Sequence, residues 1–356
     1  MAIAEALAKP KLVPLPSTAN GYQRKDFALV TGTSHPEYAK AVANILGVEV
    51  GHGVSRFPDN EIKVSLPRSV RDKVVFLIQP MGPPHQNDYW AEAMLMADAA
   101  KRSSAAKVIL IAPYLAYARQ DRMNQVRSPI SIGAMVRSLR ACGVDAFMTI
   151  DMHAQQSQVA GGEPIPWDDL YGSVHLVPEA MKLDIDDVIA TDAGSVARTT
   201  AVNGLLQLED EIGIGIKRRN PLTGKSEYIA MSKSVTGRNC LIVDDQISTA
   251  GSLANLSYLL KADGAENIWA IVTHGVFAES ALDILARAPF EDKGILITDT
   301  IKHGKDVWDH PKLRIVNTTP LIAEAIRRIV TPGEEISPLF KSLYIDGQFY
   351  HYPKPS

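Results

Sequence analysis

Short apolar runs recur along this 356-residue chain, each followed by a stretch with helical periodicity. Phe27-Ala28-Leu29-Val30 precedes a helix-like stretch at 37–46. Val74-Val75-Phe76-Leu77-Ile78 precedes one at 89–102, and Val108-Ile109-Leu110-Ile111 precedes one at 132–142. Phe147-Met148-Thr149-Ile150 closes the first half, and the alternation resumes with runs at 187–190, 212–216, 240–243, 268–272 and 294–297. Strands that are apolar at every position are buried on both faces, and parallel neighbours need a crossover that is usually helical. The pattern predicts an α/β protein with mostly parallel sheets covered by helices on both faces. Ligands in such sheets bind beyond the C-terminal ends of the strands. The residues after each run are therefore the first candidates for function.

A chain this long, 46% hydrophobic, can build two α/β domains, each with its own core. The Gly/Pro/Asp-rich stretch at 161–169 marks the division. The expected layout is a tail at 1–25, domains at 26–165 and 166–325, and a C-terminal segment at 326–356. The net charge of −3 gives no general affinity for nucleic acid or an anionic membrane. The two cysteines, Cys142 and Cys240, adjoin apolar segments, which suits reduced thiols in a cytoplasmic protein. The first 26 residues carry three prolines and no long apolar core, so they read as a tail rather than a signal peptide. No run is long and apolar enough to span a membrane.

The densest chemistry follows the run Cys240-Leu241-Ile242-Val243. Two carboxylates, Asp244 and Asp245, lead to the small-residue turn Ser248-Thr249-Ala250-Gly251-Ser252 and then to a helix with Leu253, Leu256, Leu259 and Leu260 on one face. Free N–H groups at a helix start favour an anion. Thr249 and Ser252 add hydroxyl donors, and Gly251 admits a close backbone approach. The acidic pair suits adjacent ribose hydroxyls. The ordered string predicts a site for a phosphorylated sugar.

Other strand ends carry weaker signals. Arg56-Phe57-Pro58-Asp59-Asn60-Glu61 is, alone, ordinary turn chemistry. In Tyr117-Ala118-Arg119-Gln120-Asp121-Arg122, the guanidinium groups of Arg119 and Arg122 suit a polyphosphate, and a solvated charged loop suits the string equally well. Asp151-Met152-His153 puts a histidine beside an acid at a strand end, a place for a metal ligand. In Thr191-Asp192-Ala193-Gly194-Ser195, Asp192 suits Mg²⁺ through oxygen or water. Lys217-Arg218-Arg219 ends another run and precedes a Pro/Gly-containing loop at 220–226 that could close over a site.

Taken in order, FPDNE, YARQDR, DMHAQQ, TDAGS, KRR and VDDQISTAGS resemble the ribose-phosphate diphosphokinase (phosphoribosyl-diphosphate synthetase) family from about Phe27 to about Phe340. The resemblance implies two similar domains of the phosphoribosyltransferase type I fold, with the ATP side in the first and the ribose-phosphate loop in the second. It implies ATP contacts at Phe57, Asp59, Glu61, Arg119, Gln120 and Asp121, the first three reaching a neighbouring subunit's nucleotide. It implies Mg²⁺ near His153 and Asp192, catalytic-loop cations at Lys217 and Arg219, and ribose hydroxyl acceptors at Asp244 and Asp245. The loop gripping the 5-phosphate would be Ser248, Thr249, Ala250, Gly251 and Ser252. The implied reaction moves the diphosphoryl group of MgATP to the C1 hydroxyl of ribose 5-phosphate, giving phosphoribosyl diphosphate and AMP. The implied assembly is dimers built into a hexamer. One departure stands out: the family loop usually has a third acid where this chain has Ser248. That change points also to another acceptor, such as ADP-ribose, or to a non-catalytic regulatory homologue.

Overall fold

The computed structural model describes residues 13–14, 26–123, 125–159, 161–162, 164–219 and 226–351, with only the backbone of 13, 14, 219, 226 and 227. Two main sheets carry the chain. The first is parallel throughout, in the order Val50–His52, Phe27–Thr31, Val74–Ile78, Lys107–Ile111, Ala146–Ile150, Trp167–Leu170. The second runs Ser226–Met231, Gly213–Arg219, Asp187–Ala190, Cys240–Ile247, Ile268–Gly275, Ile295–Thr298, Leu313–Val316. Only its edge strand Ser226–Met231 is antiparallel.

The two-residue period of a strand explains why both faces need cover. In the first sheet, Val75 and Leu77 face the helices Gln86–Arg102 and Ser131–Ala141, packing near Met96, Ile132 and Val136. Phe76 and Ile78 face the other way, onto Pro36–Leu46 and Thr319–Val330, among Val42, Leu321, Ile322 and Ile326. Full burial of each such side chain is worth roughly 1.5–3 kcal/mol. The helix Thr319–Val330 follows the whole second sheet in sequence, so the chain returns to seal the first. In the second sheet, Ile242 and Ala270 pack on the helix Gly251–Ala262 through Leu253, Leu256 and Leu260. Leu241, Val243 and Ile271 meet Leu176, Val177 and Val202 of Ser173–Ala180 and Val196–Leu206.

The expected α/β architecture of two mostly parallel, helix-flanked sheets is present. Three local features differ from the sequence reading. The strand read as 240–243 runs to Ile247, with Asp244 paired to Val272 and Gln246 to His274, so the acidic pair lies inside the ladder. A long partner strand, Ile268–Gly275, keeps hydrogen bonding available past the carboxylates. The first sheet gains the strand Trp167–Leu170 after the run expected to close it. From the expected tail, Val13–Pro14 pairs with Gln348–His351, which pairs in turn with Ser342–Ile345.

Each sheet has a point where strand order reverses. In the first, the chain moves from Phe27–Thr31 outward to Val50–His52 and returns on the other side at Val74–Ile78. In the second it moves from Asp187–Ala190 outward and returns at Cys240–Ile247. Loops leaving the two strands at such a point diverge and open a crevice. The first crevice is closed by Glu92, which is fully buried. Its carboxylate accepts from Thr33 N at 2.9 Å, Thr33 Oγ1 at 2.6 Å and Gln79 Nε2 at 2.8 Å. The second crevice holds the candidate site.

Candidate active site

Asp192 leaves the strand Asp187–Ala190 and caps the turn Ala193–Ser195. Its Oδ1 accepts from Gly194 N at 2.9 Å, and Ser195 Oγ donates back to Asp192 O at 3.0 Å. The other oxygen accepts from Lys217 Nζ at 2.8 Å. Lys217 lies inside the adjacent strand Gly213–Arg219, which runs past the expected end at 216, with its ammonium 5.0 Å from the ring centre of Tyr228. Tyr228 donates to Thr191 O at 2.9 Å. Gly215 permits this packing, because a Cβ there would lie 2.6 Å from the Tyr228 ring.

Across the reversal point, Asp245 N donates to Asp244 Oδ1 at 2.9 Å. Burial and the neighbouring Asp245 charge push the Asp244 carboxyl above its ordinary value. Burial works against ionisation of Asp245 too, but the His153 hydrogen bond and the Arg198 charge hold it below the usual carboxylate range. His153 Nδ1 lies 2.6 Å from Asp245 Oδ2, and this hydrogen bond raises the His153 pKa. Gln246 Nε2 sits 3.1 Å from the same ring nitrogen. His153 follows a strand of the first sheet, so the contact joins the two halves.

The loop after the acidic pair is braced from the next strand. Ile247 O accepts from Val276 N and Phe277 N at 2.9 and 3.0 Å, and Ser248 O accepts from Ala278 N at 3.0 Å. Ala250 stands at φ +63, a left-handed conformation costing roughly 1–2 kcal/mol in a residue with a Cβ. It turns the chain so that the helix Gly251–Ala262 begins with no side-chain cap. Thr249 is exposed, and a Cβ at Gly251 would meet nothing nearer than Thr249 Oγ1 at 3.9 Å. Open N–H groups, a hydroxyl and unfilled space therefore coincide where an anion would sit.

The other candidates from the sequence are spread more widely. Arg119 lines a small cavity between the halves together with His153, Asp245, Gln246 and His274. Gln120 Oε1 accepts from Ser131 Oγ at 2.6 Å, and Asp121 from Gln156 Nε2 at 2.5 Å. Phe57, Asp59 and Glu61 occupy the tip of the hairpin Val54–Arg56/Ile62–Val64. Phe57 is 46% exposed, and the tip bonds within itself: Phe57 N to Glu61 O at 2.9 Å, Glu61 N to Asp59 Oδ1 at 3.2 Å. Ser252 lies in the first turn of the helix after the loop. The Arg219 side chain and residues 220–225 of the expected loop lie outside the described residues. His153 and Asp192 are each paired, to Asp245 and Lys217. Among the described residues no three His, Cys, Asp or Glu side chains converge as a metal cage.

Sequence reasoning passed over Arg198. It sits in the first turn of Val196–Leu206, where the helix dipole disfavours a cation. That misplacement was the available signal.

Two mostly parallel sheets of this kind, one with an open crevice at its reversal point, define the phosphoribosyltransferase type I class of α/β enzymes. The family model for the N-terminal domain of ribose phosphate pyrophosphokinase matches residues 27–143, and the phosphoribosyl synthetase-associated domain matches 215–341. The ribose-phosphate pyrophosphokinase of Pasteurella multocida is 36% identical over 88% of this chain and 99% of its own. That of Neisseria meningitidis serogroup A is 36% identical over 89% of this chain and 95% of its own. The crystal structure of phosphoribosylpyrophosphate synthetase from Mycobacterium smegmatis superposes with a TM-score of 0.76 at 30% identity, covering 86% of this chain and 99% of that one. The chain belongs to the ribose-phosphate pyrophosphokinase family, and is an enzyme of that transferase family.

Proposed function

We propose that the chain transfers the β,γ-diphosphoryl group of MgATP to the C1 hydroxyl of ribose 5-phosphate, releasing AMP. The observation that carries this reading is the second crevice: an acidic pair, a braced small-residue loop and an uncapped helix start lie together at the strand-order reversal. Asp244 and Asp245 would accept the ribose hydroxyls. Thr249, Gly251, Ser252 and the backbone at Ser248 and Ala250 would hold the 5-phosphate. Arg119, Gln120 and Asp121 would hold ATP, with Phe57, Asp59 and Glu61 serving a neighbouring subunit in a homo-oligomer of dimers forming a hexamer.

The donor set fits Mg²⁺, which prefers one or two carboxylates plus substrate oxygens to an all-protein cage. Asp192, whose side chain is 44% exposed, would hold it directly or through water, and His153 through water from the ring edge turned away from Asp245. Bound Mg²⁺ would neutralise charge on the phosphate oxygens. Lys217 and Arg219 would stabilise charge developing on the transferred group, and the two halves would hold acceptor and donor in line.

The test is purified protein with MgATP and a panel of ribosyl acceptors, following AMP release and product mass. AMP release with ribose 5-phosphate and a product of phosphoribosyl diphosphate mass supports the reading. A second reading has a specific motive: Ser248 removes a negative charge from the loop, which suits a larger anionic acceptor such as ADP-ribose. No transfer to any acceptor would favour a regulatory homologue.

A further inference from the structure

Arg198 opposes its own helix dipole, so its reason lies across the crevice. Its Nε is 3.8 Å from Oδ1 of Asp151, the residue just beyond a first-sheet strand, and the side chain is three-quarters buried. Burial works against the charge, but Asp151, Asp245, Asp244 and Asp169 outweigh it and lift the pKa above the usual guanidinium value. These acids are themselves anchored. Asp151 Oδ2 accepts from Thr273 Oγ1 at 2.5 Å and Gly172 N at 2.9 Å, with its backbone at φ +44. Asp169 Oδ1 accepts from Thr149 Oγ1 at 2.7 Å and Met152 N at 3.0 Å. Asp245 is held by His153. A guanidinium carried by the second half is thus paired with an anchored carboxylate of the first. Removing one partner of such a largely buried pair leaves the other charge uncompensated.

We propose that Arg198 is a positioning residue of this site: paired with Asp151 across the crevice, it holds the strand ends of the two halves in the arrangement in which the acidic pair receives the acceptor. The proposal rests on the reading of that pair as the sugar site. A guanidinium presents a rigid fork of donors, whereas an ammonium is a point charge. Lysine should therefore replace Arg198 only in part.

The experiment compares wild type, Arg198→Met and Arg198→Lys by steady-state kinetics and by hydrogen exchange. In Arg198→Met the KM for ribose 5-phosphate should rise about 10–100-fold while that for ATP changes by less than about threefold. Arg198→Lys, and Arg198→Met with added methylguanidinium, should recover part of the loss. Amides at 151–153 and 244–246 should exchange faster in Arg198→Met, with those of Val74–Ile78 unchanged. Unchanged acceptor KM, equal losses for both substrates, or exchange identical to wild type would overturn the proposal. A wild type that releases no AMP with ribose 5-phosphate overturns the acceptor reading instead, and exchange alone then decides Arg198. If Arg198→Met does not fold, Arg198→Lys carries both measurements.

Discussion

Lys217 donates from Nζ to Asp192 Oδ2 at 2.8 Å, tying the turn after Asp187–Ala190 to the neighbouring strand Gly213–Arg219 beside the reversal point of the second sheet. An ammonium proposed to stabilise phosphate charge is thus parked on a carboxylate proposed to face Mg²⁺. Phosphate oxygens would compete with Asp192 for it at short range. Lys217→Ala should lower kcat by about 10²–10³ while changing the KM for ATP much less. Steady-state kinetics measures both, and near-normal turnover would remove Lys217 from the mechanism.

Ser248 tests which acceptor the loop is built for. Its carbonyl is fixed by Ala278 N at 3.0 Å, so Ser248→Asp changes charge on an already braced backbone. An ordinary pocket should keep or gain activity with ribose 5-phosphate. A pocket adapted to ADP-ribose should lose activity with that compound. AMP release by both proteins with both acceptors decides, and robust wild-type turnover on ADP-ribose alone would replace the first reading by the second.

The exposed Phe57 predicts a neighbour. A half-exposed aromatic on a hairpin tip, with Lys63 Nζ 5.4 Å from its ring centre, suits contact with a nucleotide held elsewhere. Sizing in solution should show at least a dimer at assay concentration. Phe57→Ala should reduce turnover while leaving the thermal midpoint nearly unchanged, because the side chain packs on little of its own chain. A fully active monomer contradicts the assignment.

His175 predicts an acid-sensitive fold. The ring is 4% exposed, lies tilted against Tyr344 and edge-on to Phe349, and its Nε2 has no hydrogen-bond partner among the described residues. Burial lowers its pKa to about 3. Between that value and the ordinary 6.5 the unfolded chain binds a proton that the folded chain refuses. Stability is therefore lost as pH falls below about 6.5, by roughly 2 kcal/mol from this group at pH 5. His35 and His303, each lowered to about 4 chiefly by burial, act in the same direction. His175→Phe should flatten the dependence and hold stability at pH 7. Urea unfolding at pH 7 and pH 5 reads the difference, and parallel slopes for both proteins would refute it.

Much of this was legible because the strands of the inner sheets are apolar on both faces. Val74–Ile78 stands where the run was read, and Lys107–Ile111 begins one residue earlier than its run. Asp244 and Asp245 were read as lying past their strand because carboxylates look like breakers. Yet the neighbouring strand ladders on through Gln246 and Ile247, and only the pairing reveals that. The hairpin around Phe57 has strands of three residues, too short to show a period. Arg198 meets Asp151 across two sheets, and the helix Thr319–Val330 packs on the opposite half from the strands that precede it. No local pattern encodes such meetings, because they depend on how the halves close.

Glu92 gives the two halves unequal standing. At the first reversal point the donors Thr33 N and Oγ1 and Gln79 Nε2 already face a carboxylate attached to the protein's own backbone. A tethered carboxylate cannot diffuse away, so these donors are taken within the chain itself. The two reversal points thereby differ: Glu92 bridges the first, while at the second the helix after Ala250 starts without a side-chain cap.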